Sequence, residues 1–217
     1  MILRAGEGAV ASRRLIRPGA SCRHLQGARQ ASPFGSACRG LIVALVVLMC
    51  SSGARADSDA TIAEYRIKAA FLLKFVGFID WPAAAFDRSD APLVIGVLGG
   101  ETLGNELEQI ASGRQVNGHP IRVRRLGRGD PSTGLHALFV GRTEGTRLGA
   151  IAAASDAATL LMVSESETAL AQGSAINFVV VDDKVRFDVA LRSINRAGLK
   201  ISARLLAVAR LVQPDPS

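Results

Sequence analysis

The chain has 217 residues with 26 Lys and Arg against 19 Asp and Glu, a formal net charge of +7 at neutral pH. A basic balance of this size suggests nucleic acid or an anionic membrane surface, but eight Arg stand before Asp57 against Glu7 alone, and 18 basic and 18 acidic residues follow. The remainder is neutral, so the excess reads as a targeting segment and nucleic-acid binding is excluded as the function.

Residues 1–56 have the parts of a secretory signal peptide in order. A basic arm leads to Leu41–Cys50, ten consecutive apolar residues. That is short for a membrane span of about 20 residues and suits a signal core. Ala54-Arg55-Ala56 supplies the small-x-small pattern, so cleavage is expected after Ala56, leaving 57–217 as one periplasmic domain. An uncleaved anchor would also leave the domain outside the cytoplasm. Arg13-Arg14 lies too far from the apolar core for a twin-arginine signal, and Val47-Leu48-Met49 lacks the small residues that a lipoprotein signal places before Cys50. Cys22, Cys38 and Cys50 all precede the cut. The mature domain therefore has no thiol catalysis, disulfide or cysteine-bound zinc.

Ala60 to Ile79 reads as the first helix, with Glu64 and Lys68 at i, i+4. Its apolar set, Ile67, Phe71, Leu72, Phe75, Val76, Phe78 and Ile79, covers more than one face, so the helix is either sandwiched in the core or meets another protein. It stops at Trp81-Pro82, where the proline disfavours helical geometry in the residue before it. Pro92 to Leu98 is a buried strand, followed by a glycine turn through Gly104 and a helix through Ile110. The turn departs from G-x-G-x-x-G and Glu101 would repel an anion, so it reads as a tight βα turn. His119 to Leu126 alternates and carries Arg122, Arg124 and Arg125, an exposed strand guarded by charge at a sheet edge.

Leu135 to Val140 and Ala158 to Val163 are two more buried strands, with a helix from Thr146 to Ala154 between them. Ser164 is expected to cap a helix over Glu165 to Ala171, with Glu167 completing a capping box. From Gly173 to Val212 the pattern is a β-hairpin turning at Asp182-Asp183. Ile176, Phe178, Val180, Val185, Phe187 and Val189 share one face, and Lys184, Arg186 and Asp188 the other. Ala190 to Ala197 forms a short helix that Gly198 ends, and Ser202 caps a second one carrying Leu205, Leu206, Val208 and Ala209. The fold class is α/β: a single domain with a mixed, mostly parallel sheet covered by helices, closed by a C-terminal hairpin and one or two short helices.

Little in this chain carries chemistry. The mature domain has two His, an exposed turn residue at His119 and a satisfied core imidazole at His136, neither spaced for a second ligand. G-x-S-x-G, H-E-x-x-H, P-loop and Ser-x-x-Lys motifs are absent. Asp182 and Asp183 are turn residues and Asp188 points outward from its strand. No catalytic residue, metal site or cofactor is expected, and an enzyme is not the reading.

The runs KAAFLLKFVGFIDWP (Lys68 to Pro82), LVIGVLGGETLGNEL, HALFVG and LMVSE, and above all GSAINFVVVDDKVRFDVAL with INRAGLKISARLLAVA, resemble the YfiR family of exported bacterial proteins over about Ala63 to Val212. The resemblance implies an α/β fold and a non-enzymatic periplasmic regulator. Its partner would be the sensor domain of an inner-membrane diguanylate cyclase or another membrane sensor, held inactive and relieved by an outer-membrane lipoprotein. A homodimer is compatible with it, and regulation of this kind works by differential affinity for two partner states. Family members often carry a Cys where His136 stands, so redox control does not transfer, and their Asp-Gly turn is Asp182-Asp183 here.

The candidate partner surface is the end of the first helix, Phe75, Phe78, Ile79 and Trp81, because interfaces use exposed aromatic and aliphatic anchors. The alternative is a small-molecule-binding protein using the crevice at Gly99 and Gly100, with Lys200 supplying charge.

Overall fold

Apolar runs of four to six residues with both faces buried make the middle of the sheet, as parallel strands covered on two sides require. The computed structural model describes residues 53–155 and 159–215, all within the unit Met49–Ser217. The bulk of the expected leader, 1–52, lies outside the described residues. In chain order the elements are helix α1 (Gly53–Gly77), strands β1 (Ile79–Asp80) and β2 (Leu93–Leu98), helix α2 (Glu101–Ala111), and strands β3 (Gln115–Val116), β4 (His119–Leu126) and β5 (Ala137–Val140). There follow helix α3 (Leu148–Ala154), strands β6 (Leu161–Ser164), β7 (Ile176–Val181) and β8 (Lys184–Ala190), helix α4 (Leu191–Arg196), strand β9 (Lys200–Ile201), helix α5 (Ala203–Leu206) and strand β10 (Leu211–Gln213).

Eight strands form one sheet in the order β10-β8-β7-β6-β5-β2-β4-β3, and β1 pairs antiparallel with β9 as a separate ribbon. All pairs from β4 to β7 are parallel, and the β7–β8 hairpin and the short β3–β4 pair are antiparallel. On one face Ile95, Phe139, Val163, Phe178 and Phe187 pack against Leu72, Phe75 and Val76 of α1 and Leu103 and Leu107 of α2. On the other, Leu98, Leu138, Val140 and Met162 pack against Leu148 of α3. The expected α/β domain is therefore present, and α1 is greasy because Leu72, Phe75 and Val76 pack against the sheet and beside α2, while Ile67, 47 % exposed, and Lys74 face solvent.

The hairpin turns where its chemistry indicated. Asp182 and Asp183 have φ of 49° and 56°, the left-handed pair that a two-residue type I′ loop needs and that Asp tolerates. Gly198 likewise ends α4 with φ of 66°.

Three expectations need correction. The helix over Glu165 to Ala171 is a series of turns, because Ser164 belongs to β6 and the Glu165 side chain is pulled into the interior. The second C-terminal helix stops after Leu206 although Ser202 does cap it, its Oγ accepting from Arg204 N at 3.3 Å. Finally, the hairpin is not the sheet edge. Arg210 N donates to the Phe187 carbonyl at 2.8 Å, which draws the chain into β10 alongside β8. The Arg210 guanidinium grips Asp188, Nε to Oδ1 at 2.8 Å, so Asp188 does leave the core face but is buried rather than pointing into solvent.

Candidate functional site

Phe71 and Lys74 of α1 and Phe78 in the turn that ends it stand at i, i+3 and i+7, and Phe78 N still donates to the Lys74 carbonyl, so their side chains share one stripe. That stripe overlooks β8. Phe71 packs on Phe187 with ring centroids 5.7 Å apart, and Phe75, one turn inward, is fully buried 4.8 Å from Phe187 and 5.5 Å from Phe178. α5 then returns along the far side, because Ser202 N donates to the Phe78 carbonyl and Ile201 pairs with Ile79. Between the three elements lies a groove of about 380 Å³ lined by Phe71, Phe78, Val185, Phe187, Leu205 and Val208. The volume lies within the range of about 300–1,000 Å³ typical of ligand clefts.

Charge at its rim has one sign. Lys74, Arg186 and Arg204 line the groove and are exposed, and no lining residue is acidic. Among the described residues none of the three is ion-paired. Val208 is 63 % exposed at the mouth. An apolar floor under three unneutralised cations is arranged to receive an apolar group that carries negative charge beside it.

Of the four residues expected to form the partner surface, the structure places only Phe78 in this groove. Phe75 and Ile79 are fully buried, a correction whose cause is their packing into the core against the sheet. Trp81 is half-buried and directed inward, its Nε1 donating to the Val76 carbonyl at 3.2 Å and its ring edge-on to His136 at 5.7 Å. Sequence reasoning missed Lys74, Arg186, Arg204 and Val208. Lys74 was legible from its spacing to Phe71 and Phe78; the other three arrive only through the hairpin and the C-terminal return.

The helix bearing this stripe is pinned one turn upstream. Lys68 is fully buried, and its Nζ donates to Glu165 Oε2 at 2.5 Å and to Glu64 Oε1. Tyr65 Oη donates to Glu165 Oε1 at 3.0 Å, and the ammonium sits 4.7 Å from the Tyr65 ring centre. Arg142, just past β5, closes the cluster at 3.6 Å from Glu64 and 3.7 Å from Glu165. Burial, followed by the Glu165 charge and its hydrogen bond, pushes the Tyr65 hydroxyl up to about 12.

The alternative crevice is not assembled. Gly99 and Gly100 follow the carboxyl end of β2, where a Cβ on Gly141 would lie 2.2 Å from the Gly99 carbonyl oxygen, so backbone fills the gap between the two loops. Lys200 pairs with Asp80 in the β1–β9 ribbon, one residue from Trp81 and hence near the opposite ends of the strands. A larger groove of about 460 Å³ lies between α3 and α4 on the other face of the sheet. Its lining is mostly small residues such as Gly149, Ala152 and Gly173, without an aromatic anchor.

Among the described residues no group of His, Cys, Asp and Glu is arranged to hold a metal ion, and no helix is long and apolar enough to cross a membrane. No curated protein matches the sequence. Among solved structures, a conserved domain protein from Vibrio cholerae O1 biovar El Tor aligns with 11 % identity over 55 % of this chain and 54 % of that one, at a TM-score of 0.43. An ABC domain in complex with L-Trp from Streptococcus pneumonia aligns with 10 % identity over 55 % of each chain, at 0.42. The alignments thus span about half the length of these structures, and likenesses this low carry no argument. The family comparison is different in kind: residues 65–210, which hold α1 from Tyr65 onward, the whole sheet up to β10 and every residue of the groove, match the YfiR/HmsC-like model, and the chain belongs to the YfiR/HmsC-like family.

Proposed function

We propose that this chain is a periplasmic regulator that docks through the groove between α1, β8 and α5 onto the extracytoplasmic part of an inner-membrane signalling protein, and that the partner is a diguanylate cyclase held inactive. The family carries a periplasmic regulatory role in cyclic di-GMP signalling. The observation that supports docking at this place is the apolar floor of Phe71, Phe78 and Val208 ringed by Lys74, Arg186 and Arg204 with no acidic neighbour in the lining. Its complement is a segment with an aromatic or aliphatic anchor flanked by Asp or Glu. The anchor supplies most of the affinity and the charges supply orientation and association rate. Repression of this kind needs no catalytic group, only tighter binding to the inactive partner state.

The test is binding of the purified chain to the periplasmic domain of the membrane diguanylate cyclase from the same organism. Phe78→Ala and the reversal Lys74→Glu/Arg204→Glu each weaken binding at least about tenfold, equivalent to about 1.4 kcal/mol, with an unchanged circular dichroism spectrum. Association of the wild type also slows as salt rises. Full affinity in folded variants sinks the docking site. If these variants instead alter a thermal shift caused by a small anionic ligand, the groove serves a small molecule.

A further inference from the structure

The loop 81–92, between the β1–β9 ribbon and β2, contains no regular structure beyond the 3-10 turn Ala83–Ala85. Two histidines hold it down. The Phe86 ring lies between His119 and His136, with centroid distances of 3.8 Å and 4.4 Å and interplanar angles of 8° and 23°. His119 Nδ1 donates to the Ala91 carbonyl at 2.7 Å. His136, 7 % exposed, accepts from Val94 N at Nδ1, 3.1 Å, which leaves Nε2 as the protonated nitrogen donating to the Ala85 carbonyl at 2.9 Å.

This bonding suits only the neutral ring. A proton added at Nδ1 occupies the lone pair that Val94 N–H uses and sets donor against donor, while a charge appears inside a stack of aromatic rings. From the geometry we infer that the His119–Phe86–His136 stack is an acid-sensitive latch: neutral His136 holds the loop 81–92 against β2 and β4, and protonation of His136 releases it.

The surrounding charges fit a latch that stays shut at neutral pH. Burial lowers the His136 pKa, the hydrogen bond to Ala85 pulls it back up, His119 opposes the cation from β4, and Asp87 in the loop favours it. The loop's other charges, Arg88 and Asp90, pair with each other at 3.2 Å in solvent, and Asp80 and Lys200 of the ribbon are both exposed. β2 and β5 contribute only apolar side chains. Because the folded pKa lies below that of the unfolded chain, the associated stability is complete above about pH 6.5 and falls as pH drops below it. The latch does not depend on the docking reading.

Trp81 is the only tryptophan and lies edge-on to His136, so its emission reports on the latch. In the purified chain titrated from about pH 8 to about pH 5, a sigmoidal red shift of Trp81 emission is expected with far-UV dichroism unchanged. The transition is lost in His136→Asn, whose amide does not titrate. In parallel, the His136 ring proton is followed by NMR in the wild type, and the protection of the Val94 amide, its exchange rate referred to the intrinsic rate at each pH, falls with the same midpoint. Emission that stays flat, a transition that survives in folded His136→Asn, or one that coincides with loss of secondary structure overturns the latch. If His136→Asn does not fold, the Val94 exchange midpoint decides.

Discussion

Lys68 and Glu165, 97 residues apart in the chain, meet at 2.5 Å in a site closed to solvent. The pair joins α1 to the end of β6 and so sets the rotation at which α1 presents Phe71, Lys74 and Phe78 to the groove. Two buried charges are expensive to desolvate. Here the Lys68 ammonium has two carboxylate partners, and the Glu165 carboxylate also accepts from Tyr65.

Removing one partner is therefore worse than removing both. Lys68→Met strands Glu165 in the interior and costs about 3–5 kcal/mol. In a domain of about 160 residues a loss of about 3 kcal/mol lowers Tm by roughly 6–12 °C. The double variant Lys68→Met/Glu165→Leu recovers most of that loss. Urea denaturation of both variants and the wild type measures the difference. A double variant as unstable as the single one contradicts the account.

Tyr65 is the chain's only tyrosine, so its ionisation can be followed by ultraviolet absorbance. The native midpoint is expected near 12, because burial and Glu165 both oppose the phenolate, against about 10 for the unfolded chain. With the folded pKa raised, this contribution to stability is complete below pH 10 and is lost as pH rises through about 12. In Glu165→Gln the midpoint moves back toward the ordinary value, although not fully, since the burial remains.

Asp188 and Arg210 tie β10 to the sheet. Arg210→Ala leaves a buried carboxylate short of its partner and removes the cross-link, costing about 1–3 kcal/mol. Backbone amides of Leu211–Gln213 then exchange faster, while those of β5 and β6 keep their protection. Uniform acceleration across the whole sheet would mean that β10 is not a separable edge.

What the sequence determined by itself were the features that depend on near neighbours. Period-two alternation placed β7 and β8, Asp182-Asp183 placed the turn, Gly198 ended α4, and the apolar runs placed the central strands, because burial pattern and turn chemistry are properties of a few consecutive residues. The density of apolar positions on α1 was equally visible, but its meaning was not: whether Phe75 and Ile79 face a partner or the core depends on which side of that helix is laid against the sheet. The expected capping box of Ser164 and Glu167 shows the same limit, since the two have the local chemistry of a helix start, but Ser164 stays in β6 and a buried lysine on a distant helix draws the intervening Glu165 into the interior. Tertiary structure alone decided the groove. Its cations come from α1, β8 and α5, and only closure of the chain through the β1–β9 ribbon brings Lys74, Arg186 and Arg204 around one apolar floor.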